Sequence, residues 1–404
     1  MDTPTLNHEP REIQRIQQRC KVSCSLFFFG WLGGNIAWFI LPFYLKSLGM
    51  DFTKIGILFS LSTIVQAALL LISGQINIRF GYKRTILLSL SLIFIACLIQ
   101  VSVPVFWALA LSSVIAGIAM ALEWPSLMAL LSGEASEEKR HYLFTLNSAL
   151  GTAGAAFGML LGGILPKVLD GTNPYRRTLL LAALLILIQM VLMSFVSPVL
   201  GKEERKLRLR RELLIKIAKF SLPSALIGLG AGVTIPYMGL YFNLKFGTSL
   251  ESIGGLFALQ QLVMALGMFS MPLLADKIGS VKTIVSFNGS ATALIIALPL
   301  APSFLIASII YIVRTILMNI VNPIWDAFMM KFFTKEERAT SIALRSFAWT
   351  STFGLGQYLG GIIFDRSLVF PFLITGFLYA ASIVIFWMFF AGYEERVISN
   401  GTSL

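Results

Sequence analysis

The chain has 404 residues, of which 56% are hydrophobic and only 13% are charged. Soluble domains carry about 25% charged residues, so this composition leaves too little polar surface for a soluble protein of this length. Only three cysteines and two histidines occur in the chain, a poor supply for a four-ligand zinc site, so neither a metal nor a cofactor is expected. The composition predicts an integral membrane protein, and its apolar segments predict that it is all-α.

Long apolar segments recur along the chain, and about 20 apolar residues suffice to cross the hydrocarbon core as a helix. Twelve segments meet this condition and are numbered here as spans 1 to 12. They are residues 22–47, 54–77, 84–103, 104–131, 141–167, 177–199, 217–245, 250–276, 281–300, 302–330, 339–364 and 368–392. Short turns that contain proline separate spans 3 and 4, and spans 9 and 10, so a count of ten stays open. Twelve spans fit the pattern better.

Lysine and arginine are unevenly distributed between the segments that join the spans. With the N-terminus inside, the cytoplasmic segments contain 23 of them and the outer loops contain seven. By the positive-inside rule, both termini are predicted to lie in the cytoplasm, with the spans in the plasma (inner) membrane. The net charge of +12 is then mainly a topology signal. Because the cations are dispersed over many segments, no nucleic-acid partner is expected.

The sequence repeats itself after 198 residues without a gap. The matching pairs include Gly49 with Gly247, IGILFSL (55–61) with IGGLFAL (253–259), and GMLLGG (158–163) with GQYLGG (356–361). Glycines and charges hold one register across this stretch, which chance similarity between two apolar segments does not explain. The repeat predicts two homologous six-helix bundles, residues 22–199 and 217–392, here called the first and second halves.

The remaining segments are predicted to lie in the cytoplasm. They are an N-terminal tail (1–21), a basic linker (200–216) and a C-terminal tail (393–404). Leucines alternate with a dense basic set through the linker, as in a helix that lies on an anionic membrane surface. A flexible tether is the alternative interpretation of the same segment.

A glycine-containing basic loop follows the second span of each half, GQINIRFGYKRT (74–85) and PLLADKIGSVKT (272–283). Two six-helix halves with such loops resemble the major facilitator superfamily of secondary transporters, over residues 20–395. In that family the loop is a conformational latch between the halves. The resemblance assigns this role to Gly74, Arg79, Gly81, Lys83, Arg84, Asp276, Lys277 and Gly279. Because Ile78 replaces the family's aspartate in the first loop, the acidic latch is expected from the second loop alone.

Span 5 contains GAAFGMLLGG (154–163), which is similar to the glycine-rich antiporter motif of the same superfamily. Met159 stands where that motif has proline. The resemblance implies export by exchange. Small residues at this spacing also let helices approach closely, and both interpretations stay open at this point.

Ionisable residues at membrane depth are costly and usually face a cavity or a partner. Four occur within the predicted spans, namely Glu123, Arg314, Asp326 and Arg345. In the superfamily, spans 1, 4, 7 and 10 line a central cavity, so a substrate or proton pathway is predicted there. Its residues are Asn35, Trp38, Glu123, Tyr237, Tyr241, Gln260, Gln261, Arg314, Asn319, Asn322, Asp326 and Arg345. For Asp326 and Arg345, a structural ion pair is an open alternative to a role in transport. For the tyrosines and tryptophans, the open alternative is packing.

The sequence predicts a secondary active transporter that works by alternating access, and not an enzyme. A phosphate-binding loop of the Gly-x4-Gly-Lys-Ser/Thr type is absent, and His8 and His141 lie outside the spans or at their edge. Proton coupling is expected through Glu123 or Asp326, because a desolvated carboxylate binds a proton more readily. Export of a hydrophobic or amphipathic compound is favoured over uptake of a small polar or anionic solute. A non-transporting receptor is less favoured, and a monomer is expected.

Overall fold

The computed structural model describes residues 9–134, 137–196, 210–268 and 279–399, with side chains described in 25–130, 145–196, 210–266 and 279–392. These ranges form twelve α-helices and contain no strand. The helices are α1 (Glu9–Ser47), α2 (Phe52–Phe80), α3 (Tyr82–Ser102), α4 (Phe106–Glu134), α5 (Glu137–Val168), α6 (Pro174–Ser194), α7 (Arg211–Phe246), α8 (Leu250–Met268), α9 (Ser280–Leu300), α10 (Phe304–Met330), α11 (Lys335–Arg366) and α12 (Phe370–Ser399).

Three of these helices depart from regular α geometry. One turn of 3-10 helix interrupts α7 at Ile235–Tyr237, and another ends α9 at Leu298–Leu300. A single turn residue, Val321, interrupts α10. The helices α3 and α4 are separate, as are α9 and α10, which confirms the count of twelve over the count of ten.

The length and composition of the helices fit a membrane-spanning protein. Ten helical segments within the described chain are long and apolar enough to cross a membrane. The two remaining helices are α8, with a shorter apolar stretch at Leu250–Leu266, and α11, with 32 residues and charges at both ends. The chain is therefore an integral, multi-pass membrane protein.

The two halves repeat the same helix boundaries 198 residues apart. The first and last residues of α9 lie 198 positions after those of α3, and the same holds for α11 relative to α5. Gly81 precedes α3 and Gly279 precedes α9, with φ angles of 80° and 93° in the left-handed region that favours glycine. In each turn a threonine, Thr85 or Thr283, donates its hydroxyl hydrogen to that glycine's carbonyl, at 3.0 and 2.6 Å. The described turns at Gly81 and Gly279, one in each predicted loop, are therefore built in the same way.

Two predicted boundaries differ from the structure. The helix α1 begins at Glu9, so the predicted tail is helical from that residue, and α7 begins at Arg211, inside the predicted linker. Leu213 and Ile217 are buried in the core of the second half beside Phe220. The interpretation of these two residues as part of a surface helix on the membrane is wrong, because they face α10 and α12. The other leucines of that pattern at 207 and 209 lie outside the described residues.

The hydrophobic cores show how the halves meet. We call the membrane face that holds the ends of α6 and α7, at Ser194 and Arg211, the linker side. On the opposite side, one core cluster contains residues of both halves, such as Ile55 and Phe257. On the linker side each half has its own cluster, around Leu90 in the first half and around Phe328 in the second. The halves are joined at the opposite side and separate towards the linker side.

Candidate functional site

Glycines bring the backbones of the two halves together on the opposite side, where α5 crosses α8 and α2 crosses α11. A Cβ atom on Gly163 would lie 2.5 Å from the carbonyl oxygen of Leu250 and 3.1 Å from the Cα of Gly254. In the repeat, 198 residues later, a Cβ atom on Gly361 would lie 2.4 Å from the carbonyl oxygen of Phe52. Packing this tight leaves no room for a side chain, so both crossings require glycine. We call these two crossings the seal.

Polar contacts between the halves reinforce the seal. The carboxylate of Asp365 on α11 accepts hydrogen bonds from the backbone amides of Phe52 and Thr53, at 2.9 and 2.8 Å, and from the Thr53 hydroxyl at 2.6 Å. At the equivalent position on α5, Lys167 forms an ion pair with Glu251 at 3.0 Å. These contacts hold the opposite side closed.

A cavity of about 1050 Å³ lies between the halves, on the linker side of the seal. Its wall contains large aromatic side chains from both halves. They include Trp31, Trp38 and Trp124 from the first half and Trp325, Trp349 and Phe353 from the second. Trp31 and Trp124 pack edge to face at 5.8 Å, and Trp349 stacks on Phe353 at 4.8 Å. The cavity therefore offers aromatic surface on both sides to a bound compound.

Glu123 of α4 is the carboxylate on the first-half wall of this cavity. Its only hydrogen-bond partner among the described residues is Gln189 of α6, whose Nε2 lies 3.5 Å from Oε1 of Glu123, and no described cation pairs with it. Gly30 leaves room for Gln189, because a Cβ there would lie 2.5 Å from the amide nitrogen. Glu123 is thus a weakly partnered carboxylate at membrane depth.

Arg314 of α10 lies on the second-half wall and is only 3% exposed. Its Nη2 donates a hydrogen bond to the hydroxyl of Tyr379 at 2.7 Å, and its guanidinium carbon lies 5.5 Å from the centre of that ring. Its Nε is buried without a partner. No described carboxylate lies within ion-pair distance, so this buried cation has no protein counter-ion among the residues that the structure describes.

Asp326 and Arg345 form an ion pair at the part of the cavity nearest the linker side. The Nη2 of Arg345 lies 2.5 Å from Oδ1 of Asp326, and both side chains belong to the second half. The structural ion pair that the sequence left open is therefore present. It differs from Glu123 and Arg314, which face the cavity without an opposite charge.

The sequence matches the family described as the Major Facilitator Superfamily over residues 23–224 and again over residues 220–402. The chain belongs to the major facilitator superfamily. The two matches cover one half each, as the 198-residue repeat predicted. The resemblance first seen in the two loops is therefore confirmed.

Two relatives of this facilitator are similar over part of their length. The puromycin resistance protein pur8 of Streptomyces alboniger is 27% identical over 207 residues, which are 51% of this chain and 38% of pur8. The major facilitator superfamily multidrug transporter mfsC of Aspergillus fumigatus is 29% identical over 125 residues, 31% of this chain and 24% of mfsC. The aligned stretches span less than half of either relative.

Solved structures of other facilitators share the fold. A mutant form of the nucleoside transporter NupG aligns with a TM-score of 0.75 at 16% identity, over 92% of this chain and 100% of that one. A bacterial homologue of the human lysosomal transporter Spinster, inward-facing and unoccupied, aligns with a TM-score of 0.70 at 14% identity, over 92% and 95%. Identities this low show the shared fold alone.

Most of the predicted pathway residues of the facilitator line the cavity. Besides the four charged residues, these are Asn35, Trp38, Gln260, Gln261, Asn319 and Asn322. Tyr237 and Tyr241 are fully buried elsewhere, and the structure does not bring them to the cavity. The hydroxyl of Tyr237 donates to the carbonyl of Gln357 at 2.5 Å, and Tyr241 packs on Phe372. The cavity is lined by a different face of α7, which carries Ser224, Ile227, Ala231 and Ile235.

The latch residues of the facilitator are described only in part. Gly81 and Gly279 form the turns, Gly74 is a helical residue of α2, and Arg79 and Arg84 are exposed. Lys83 donates to the carbonyl of Ser194 at 2.7 Å, a contact with the end of α6 within the first half. Asp276 and Lys277 lie outside the described residues. A latch between the halves stays a prediction.

Proposed function

We propose that this facilitator exports a hydrophobic or amphipathic compound in exchange for protons, with Glu123 as the proton carrier. The observation that carries the proposal is the position of Glu123. It lies on an aromatic cavity wall, with one distant amide partner and no described cation beside it.

Exchange follows from the chemistry of a carboxylate in such surroundings. An ionised carboxylate without a counter-ion is unfavourable at membrane depth. It is stabilised by a proton or by a basic or hydrogen-bond-donating group of a bound compound, but by only one of them at a time. Competition of this kind couples the exit of the compound to the entry of a proton. Asp326 is less suited to this role because Arg345 already neutralises it.

Export is supported by the character of the wall and by the relatives. Three tryptophans of the first half and aromatic residues of the second offer apolar surface to a large ring system. The names of pur8 and mfsC describe resistance and multidrug transport, which support the same direction for this chain. The glycine-rich stretch of α5 is less informative, because its glycines contact the backbones of α1 and α8.

The distribution of lysine and arginine supports a cytoplasmic linker side in the plasma (inner) membrane. The cavity lies on that side of the seal, so it would load its compound from the cytoplasm. Opening of the seal would then release the compound outside. The same movement would expose Glu123 to protons from outside.

Purified protein in liposomes with an internal pH indicator tests the proposal. A panel of aromatic amphipathic compounds and small polar anions is added to one side, without an imposed gradient. We expect an aromatic amphipathic compound to drive protons in the direction opposite to its own movement, and an imposed proton gradient to concentrate it. Movement of compound and proton in the same direction would support the alternative, uptake of a polar or anionic solute. Liposomes without protein provide the background.

A further inference from the structure

Three buried polar side chains from three helices line the second-half wall of the cavity. They are Arg314 of α10, Tyr379 of α12 and Asn288 of α9, and all three line the cavity. Asn288, like Arg314, is only 3% exposed. Both Nε of Arg314 and Oδ1 of Asn288 are buried without a hydrogen-bond partner. The group therefore has hydrogen-bonding capacity that the protein leaves unused.

The first half shows that the fold does not need these polar groups. At the 198-residue offset, Arg314 corresponds to Ala116 and Asn288 to Leu90, and Leu90 is part of the first-half core. The helices α3 and α9 begin and end at equivalent residues, so the two sites have the same backbone frame. A buried guanidinium without a counter-ion is costly. Because the repeat packs the same place with apolar residues, the charge at Arg314 has a role other than packing.

We propose that Arg314, Tyr379 and Asn288 form a subsite for an oxyanion group, a carboxylate or a phosphate, of the transported compound. A guanidinium presents planar N–H donors that match the two oxygens of such a group. The hydroxyl of Tyr379 accepts its hydrogen bond from Arg314, so its own hydrogen is available to the ligand. The amide of Asn288 supplies a further donor when it turns its nitrogen towards the site.

The oxyanion subsite narrows the substrate class of the proposed function, and it rests on that function for the exchange of protons at Glu123. An anionic compound beside Arg314 is best accommodated when Glu123 is protonated, which would move compound and proton together. Exchange at Glu123 instead requires a basic group that takes the place of the proton. An exported compound that uses both sites therefore carries an aromatic body, a basic nitrogen and an oxyanion. This is a narrower class than hydrophobic or amphipathic compounds in general.

Four probes with the same ring system separate these contributions: naphthylalanine, naphthylacetate, naphthylmethylamine and naphthylmethanol. Their binding to the purified full chain is measured by titration calorimetry. We expect naphthylacetate to bind about tenfold more tightly than naphthylmethanol, since a charged group adds about that factor to a hydrogen bond. Naphthylalanine should bind most tightly of the four. Equal binding of naphthylacetate and naphthylmethanol, or no binding of any probe, overturns the subsite.

Substitutions that copy the first half test which residues carry the preference. Arg314→Ala should abolish the difference in affinity between naphthylacetate and naphthylmethanol. It should leave the difference in affinity between naphthylmethylamine and naphthylmethanol unchanged. Asn288→Leu places an apolar residue that the repeat already accommodates, and should reduce the oxyanion preference by a few-fold even where Arg314→Ala does not fold. Lys216→Gln removes an exposed cation of the second half that does not line the cavity, and should leave the preference intact. Retention of the preference in both Arg314→Ala and Asn288→Leu contradicts the assignment.

The outcomes distinguish this subsite from the proposed exchange. The liposomes could take up naphthylacetate together with protons, in a manner that depends on Arg314. This result would support the subsite and overturn export by exchange. Proton exchange that depends on Glu123 but is indifferent to the oxyanion would support the proposed function and overturn the subsite.

Discussion

Asp365 near the end of α11 caps the N-terminus of α2, a helix of the other half, by accepting the amide of Thr53 at 2.8 Å. The amide of Phe52 donates to the same carboxylate at 2.9 Å. A carboxylate at a helix N-terminus is stabilised by unpaired amides and by the helix dipole. At the equivalent crossing, Lys167 of α5 pairs with Glu251. The same position of the repeat is therefore an anion, Asp365, at one crossing and a cation, Lys167, at the other.

Asp365→Asn should weaken the seal more than Lys167→Gln does. The asparagine keeps one acceptor but loses the charge, which we expect to cost about 1–2 kcal/mol and to raise the open population roughly tenfold. The Lys167 side chain is 78% exposed, and an exposed ion pair contributes little, so its loss should shift the population about threefold at most. Distances between spin labels on α2 and α11 at the opposite side would measure both shifts. A larger shift in Lys167→Gln would contradict the capping argument.

Two neighbouring glycines of α8 provide a matched test of the close crossing. A Cβ on Gly254 would lie 2.7 Å from the carbonyl oxygen of Met159 and 3.0 Å from the Cα of Gly163, whereas a Cβ on Gly255 meets nothing within 4 Å. Gly254→Ala should therefore push the halves apart at a cost of about 1–3 kcal/mol, and open the seal. Gly255→Ala should leave the conformation unchanged and stabilise the helix slightly. Label distances and thermal unfolding of the two variants check this, and equal behaviour would contradict it.

Glu123→Gln should abolish proton-driven accumulation while exchange of compound for compound continues. Glutamine keeps the size of the side chain and its contact with Gln189 but binds no proton in the physiological range. Transport into liposomes with and without a proton gradient separates the two activities. Asp326→Asn serves as the comparison, since its partner Arg345 makes a coupling role less favourable. Unchanged accumulation in Glu123→Gln would exclude this residue as the carrier.

The pair Asp326 and Arg345 should behave as a structural ion pair. The aspartate side chain is 56% exposed and the arginine 21%, so we expect a coupling of about 1 kcal/mol from a double-mutant cycle. The decreases in unfolding temperature of Asp326→Ala and Arg345→Ala should add up to more than the decrease in the double variant. Strict additivity of the two substitutions would show that the pair contributes nothing to stability.

Much of the fold was accessible from the sequence because apolar length and the 198-residue repeat act at the level of whole helices. Such patterns survive an error of several residues at each boundary. The cavity face of α7 was less accessible, because this helix is buried on several sides and only the face with Ser224, Ile227, Ala231 and Ile235 lines the cavity.

The partners of Glu123 and Arg314, and the third residue of the proposed subsite, were missed for a different reason. Gln189, Asn288 and Tyr379 belong to α6, α9 and α12, outside the set of helices expected to line the cavity. A faint signal existed, since each is a polar side chain within an apolar span. Only tertiary packing shows that these three reach the cavity, whereas others of their type do not.

The interruptions of α7 and α10 make the two cavity walls mechanically unequal. Pro236 lies in the break of α7 and Pro323 follows that of α10, whereas α1 and α4 run unbroken past Pro42 and Pro125. A proline removes one backbone hydrogen bond, and each break adds a point where the helix bends easily. We therefore expect the second-half wall to bend more easily than the first-half wall. Compounds of different size would be accommodated by bending of the second-half wall, while the first-half wall keeps the geometry around Glu123 constant.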